Sequence, residues 1–151
     1  MALKRKIAYI DLSTGEIKTG TIPIKMREKF LGGRGLDAYL LYNHLPSGID
    51  PFDPQNVVII SAGLLVGTSA SASARTHVCS KSPLTGFFGS CNMGGFFAPE
   101  LRWAGFDHLV ITGKAKEPVY LWITNGEIKI LSAEKLWGLG TFETQQQIRT
   151  I

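Results

Sequence analysis

At 151 residues, with 44% hydrophobic and 19% charged side chains, the sequence has the composition of one compact soluble domain and excludes a disordered chain. Its formal charge of +4 is scattered rather than gathered into runs, which gives a nucleic-acid partner no support and leaves a buried polyanionic ligand as the other use for the charge. No stretch approaches the roughly 18 apolar residues of a membrane span, the opening MALKRKIAYIDLSTGE turns polar too soon for a signal peptide, and two cysteines make no secreted disulfide framework, so the expected location is cytoplasmic with no membrane partner.

Lys6 to Asp11 alternates, ends in LSTGE and resumes as IKTGTIPI, which predicts a β-hairpin turning near Ser13 to Gly15. Helical spacing follows: Met26, Phe30, Leu36, Tyr39, Leu40 and Leu45 suit two short helices broken at Gly32 and Gly33. After the turn-rich PSGIDPFDP, the brief β-branched run NVVIISAG reads as a buried strand. GLLVGTSASASAR is built almost entirely of small residues and lets backbone approach a neighbour or ligand closely. THVCS and GFFGSC flank KSPLTG as a hairpin, whose pairing would bring Arg75 and Asn92 side by side at its outer ends. Gly94 and Gly95 lead into FFAPELRWAG, a short amphipathic helix whose start could face the same place. HLVITGK is a strand, PVYLWITNGEIKIL a hairpin with a strong NG turn, and Thr141 the expected N-cap of a last helix cut off at Ile151.

Arg75, the small-residue loop before it and the Asn92-x-Gly94-Gly95 helix entry form the pattern of an anion-binding cradle. The plainer reading makes Arg75 a solvated edge residue and the glycines mere turn formers. Cys79 and Cys91 lack metal-ligand spacing and read as small buried hydrophobes. His44, His77 and His108 fall on three different elements, with nothing to indicate a shared site. GLLVGT is not a P-loop, GGRGLD is not a dinucleotide fingerprint, and neither a nucleophile with a neighbouring base nor a carboxylate pair stands out.

The ordered set IDLSTGEI, FLGGRGLDAYLL, SAGLLVGT, Arg75, SKSPLTGF, NMGGFFAPELRWAGFD, ITGKAKEPVYLWI and LWG resembles the N-terminal domain of the tungsten-containing aldehyde ferredoxin oxidoreductase family, from Ile7 to the last helix. The resemblance implies an α+β fold with two packed β-sheets and short helices. It implies that residues 1–151 form a metallopterin-binding base domain, truncated at its C-terminal end, of an enzyme that oxidises aldehydes to carboxylic acids and passes electrons through a [4Fe–4S] cluster to ferredoxin. The cofactor so implied is tungsten, or molybdenum, held by two pterins whose phosphates are bridged by magnesium. The residues carried over are Arg75, Asn92, Gly94 and Gly95. Asn92 would offer its backbone carbonyl to magnesium, a hard cation that takes oxygen ligands.

Leu64 and Val66 stand where the family commonly has a proline and a threonine. A glycine- and arginine-rich cofactor segment, the cluster cysteines and the active-site acid/base residues lie beyond this chain in the family. The isolated chain is therefore expected to be inactive and to carry no cluster of its own, or no cofactor at all. Its expected partners are the enzyme's remaining domains. The alternative is a non-catalytic interaction module, a homodimer or partner surface formed by Phe87, Phe88, Phe96, Phe97 and Trp103.

Overall fold

The computed structural model describes residues 5–150; Met1 to Lys4 at the start of the stretch read for a leader, and Ile151 where the last helix was expected to be cut off, lie outside them. The elements run β1 (Lys6–Asp11), β2 (Ile17–Thr21), α1 (Ile24–Phe30), α2 (Arg34–His44), β3 (Val58–Ala62), β4 (Thr76–Lys81), β5 (Phe88–Met93), α3 (Phe97–Trp103), β6 (His108–Thr112), β7 (Val119–Thr124), β8 (Glu127–Ser132) and α4 (Thr141–Ile148). Six strands form one mixed sheet in the order β2-β1-β6-β3-β4-β5, parallel only between β1 and β6, and β7-β8 form a second. This is the expected α+β fold with two sheets and short helices. Among the described residues, no helix is long and apolar enough to cross a membrane.

Strand alternation gives the large sheet two apolar faces. Ile7, Ile59, Cys79 and Val110 point to one side, where Leu36, Leu40 and Leu41 of α2 cover them. Ala8, Ile10 and Leu109 point to the other, against Leu101, Phe106 and the inner faces of β7 and β8. The β7-β8 hairpin turns on Asn125 and Gly126, both at positive φ, which is the type I′ geometry that the NG pair favours.

The α1 to α2 junction explains GGRG without a ligand. Gly33 caps α2 at φ 51, and a side chain at Gly35 would lie 2.7 Å from the Phe30 carbonyl. The last helix differs from expectation at its start: Gly140 occupies the N-cap and Thr141 is the first helical residue, with no side-chain cap bond.

Behind the small-residue loop sits a buried ionic cluster. The Arg5 guanidinium pairs with Asp107 at 3.0 Å and donates to the Gly63 and Leu64 carbonyls, and Arg102 also binds Asp107. Leu64 and Val66 divide here: Val66 is buried with Ala62 and Ala98, while Leu64 is exposed. The loop is thus held by its backbone from below, and Arg75 leaves it at the start of β4.

Candidate functional site

The β4-β5 hairpin forms one end of the large sheet. Its turn is closed by Ser82 N–H to the Phe87 carbonyl and Gly86 N–H to the Ser82 carbonyl, both 2.8 Å, with Gly86 at φ 70. That bulge fixes the phase of the ladder. Ser90, opposite Cys79, and Asn92, opposite His77, then fall at non-hydrogen-bonded positions, so their backbone N–H and C=O groups face the open edge.

Continuing the register one step past Thr76 and Met93 sets Arg75 opposite Gly94. The hairpin ends are therefore adjacent, as the sequence predicts, but Arg75 falls opposite Gly94 rather than beside Asn92, which lies opposite His77. Arg75 is exposed, and its guanidinium has no hydrogen bond or ion pair among the described residues; its carbonyl is held by Gly63 N–H at 3.2 Å. Gly94 lies outside the left-handed region, and an added Cβ would meet nothing within 4 Å. The domain's own packing gives no reason for a glycine there. Gly95, at φ +100, is different: the backbone itself requires it. Helix α3, of seven residues, has no side-chain cap at its start.

On the α2 side of the same hairpin the structure corrects the reading of the histidines. His77 and His108 share one buried carboxylate, that of Asp37 in the first turn of α2. His77 Nδ1 lies 2.5 Å from Asp37 Oδ2 and His108 Nδ1 lies 2.8 Å from Oδ1, while the Ser61 hydroxyl donates to Oδ2. His77 Nε2 then meets the Ser90 hydroxyl at 2.9 Å. His44 stays apart, tilted against Tyr9. Burial pushes the Asp37 carboxyl up, but the hydrogen bonds from His108, His77 and Ser61 and the charge of His108 outweigh it and leave the pKa below the ordinary carboxylate value. The signal was present in the sequence: an aspartate on the apolar stripe of a helix, and histidines on the inward parity of two strands.

Asp37, His77 and Cys79 place their ligand atoms within 4.8 Å of one another, a spacing suited to a cation. Their chemistry favours a hydrogen-bonded network instead. Both Asp37 oxygens are taken by donors, and burial, followed by the charges of Asp37 and Cys91, pushes the Cys79 thiol up to about 12. Ser90, His77 and Asp37 also repeat the order of a nucleophilic triad. A flat strand edge, however, spaces its outward N–H groups by about 7 Å and cannot aim two at one oxyanion.

The cysteines divide as well. Cys79 is buried as expected, Cys91 is exposed, and both are free. Iodoacetamide at pH 8 is expected to label one cysteine per native chain, Cys91, and two after unfolding; two labelled in the native state would contradict the buried thiol.

Residues 7–151 match the family described as "Aldehyde ferredoxin oxidoreductase, N-terminal domain". The chain belongs to this family. It is 45% identical over 140 residues to the tungsten-containing aldehyde ferredoxin oxidoreductase of Pyrococcus furiosus and 41% over 144 residues to that of Pyrococcus horikoshii, covering 93% and 95% of this chain. Among solved structures it resembles the active-site complex BamBC of benzoyl coenzyme A reductase, with a TM-score of 0.95 and 39% identity over 99% of this chain. The chain spans about a quarter of the length of the curated relatives it matches, 23% and 24%, and 23% of that solved chain. The hairpin register brings Arg75, Asn92 and Gly94 to one end of the sheet, with Gly95 next in the chain.

Proposed function

We propose that residues 1–151 are the metallopterin-binding base domain of a longer oxidoreductase. The reading rests on one observation above others: an Arg75 guanidinium without a partner among the described residues, beside the open space over Gly94 and next to an outward-facing Asn92 backbone. Such a set fits a doubly phosphorylated ligand. Arg75 would hold a polar or anionic group of the pterins by charged hydrogen bonds. The Asn92 carbonyl would serve as an oxygen ligand to a bound magnesium ion. Gly94 would let the ligand close on the backbone, and Gly95 would turn the chain away beneath it.

When bound, the tungsten or molybdenum centre supplies the two-electron chemistry, while this chain binds and orients it. In this reading the remaining domains hold the [4Fe–4S] cluster and substrate pocket, aldehydes are oxidised to carboxylic acids, and ferredoxin takes the electrons. The likeness to a benzoyl coenzyme A reductase component favours a second reading that differs in substrate and in the direction of the redox reaction: the same base under a reductase pocket. Phe87, Phe88, Phe96, Phe97 and Trp103 are all exposed, which suits contact with further domains as well as the dimer or partner surface of the alternative.

Gly94→Leu in the complete enzyme separates a cofactor seat from a plain turn. Because the domain leaves room for the side chain, its stability should stay within about 0.5 kcal/mol, while metal per polypeptide falls to near background. Metal content equal to that of the unmodified enzyme would contradict the seat.

A further inference from the structure

The cofactor reading leaves one feature unused. Asp37, His77 and Ser90 form a continuous chain of hydrogen bonds that starts in the core and ends on the outermost strand beside the proposed seat. We propose that Asp37, His77 and Ser90 are positioning residues: a relay that fixes strand β5 against β4 so that Arg75 and the Asn92 carbonyl meet the anionic cofactor in register. The inference rests on the metallopterin reading above.

Strand β5 needs such a device. Five of its six residues are exposed, and its outer edge has no partner strand among the described residues. Backbone bonds to β4 hold it along one side only, and an edge strand exposed on its faces has little to resist twisting or fraying. His77 lies opposite Asn92, and Ser90, which His77 reaches at 2.9 Å, is two residues before Asn92 on the same face. His77 is also two residues after Arg75. One imidazole therefore ties together the strand that carries the arginine and the strand that carries the carbonyl.

The imidazole is itself held. Its Nδ1 donates to Asp37, whose carboxylate also receives Ser61 of β3 and His108 of β6, so a single carboxylate joins α2 to three neighbouring strands. The hydroxyl of Ser90 can either donate or accept, so it completes the bond to His77 Nε2 at 2.9 Å whichever role the ring nitrogen takes. His108 has no such further link: its Nε2 is buried without a partner among the described residues, so its role ends at Asp37. Only the His77 arm reaches the surface. It does so on the residue nearest the proposed magnesium ligand whose side chain shares that ligand's face.

Ser90 allows a clean test because it is exposed and its loss leaves no cavity. Ser90→Ala, Ser90→Thr and Arg75→Ala would be made in the complete enzyme, and metal per polypeptide measured by elemental analysis alongside Tm. Ser90→Ala is expected to lower retained tungsten or molybdenum about two- to tenfold, the equivalent of one hydrogen bond, with Tm within about 2 °C of the parent. Ser90→Thr, which keeps the hydroxyl, should restore it. Three outcomes overturn the relay. In the first, Ser90→Ala retains full metal while Arg75→Ala loses it, and only the relay fails. In the second, Ser90→Thr fails to rescue, so the hydroxyl is not the cause. In the third, both Ser90→Ala and Arg75→Ala retain full metal, and the metallopterin reading falls with the relay.

Discussion

Arg75→Ala in the complete enzyme is expected to reduce bound tungsten or molybdenum by roughly tenfold or more while the fold survives. The size follows from the charged hydrogen bonds that a guanidinium makes to an anionic group, about 1.5–3 kcal/mol. Survival of the fold follows from what Arg75 lacks: its side chain has no partner among the described residues, and surface substitutions of that kind usually move stability by less than about 0.5 kcal/mol. The backbone contribution, Gly63 N–H to the Arg75 carbonyl, is unaffected by the substitution. Elemental analysis of the purified variant with a parallel denaturation curve checks both halves. Full metal content would remove Arg75 from the seat. Loss of fold would mean that the arginine holds the loop.

Asp37→Ala should be the most damaging single change near the site. It strips the acceptor from Ser61, His77 and His108 at once, inside a core where none of the three can reach water. Leaving such donors unpaired in a buried polar network costs about 3–5 kcal/mol, measurable by urea unfolding of the chain. Asp37→Asn should be milder, because His77 can change tautomer, accept from the amide and donate to Ser90 instead. Stability against pH separates the roles further. The folded pKa of Asp37 is depressed, so its carboxylate stabilises the fold above the unfolded value and that contribution is lost as pH falls through the folded one. The loss therefore lies below about pH 4. Asp37→Asn should shrink that acid limb, and an unchanged limb would show that other carboxylates carry it.

The sequence foretold the elements well because their signals are local. Alternation in Lys6–Asp11, the NG turn before β8 and the glycine break before α2 each act within a few residues, and each appears where expected. The adjacency of the β4-β5 hairpin's outer ends was legible for the same reason, pairing across a short turn, but the register was not: Arg75 was expected beside Asn92, whereas Asn92 lies opposite His77 and Arg75 falls opposite Gly94. The Asp37 network was not legible as a unit. Its members lie 24, 40 and 71 residues from Asp37, and only the order β6-β3-β4 in the sheet, with α2 across it, converges them. Nothing local dictates that β6 inserts between β1 and β3. The Thr141 cap was missed by one residue because Gly140 already had the extended backbone that an N-cap needs.

The claim that this face seats a metallopterin is tested most directly by anomalous scattering at the tungsten edge from crystals of the complete enzyme. The account predicts a bis-pterin lying across the β4-β5 ends, Arg75 on its polar groups, Gly94 beneath it and the Asn92 carbonyl turned to a magnesium ion. A metal centre seated elsewhere, with the open edge of β5 covered by protein, would contradict it.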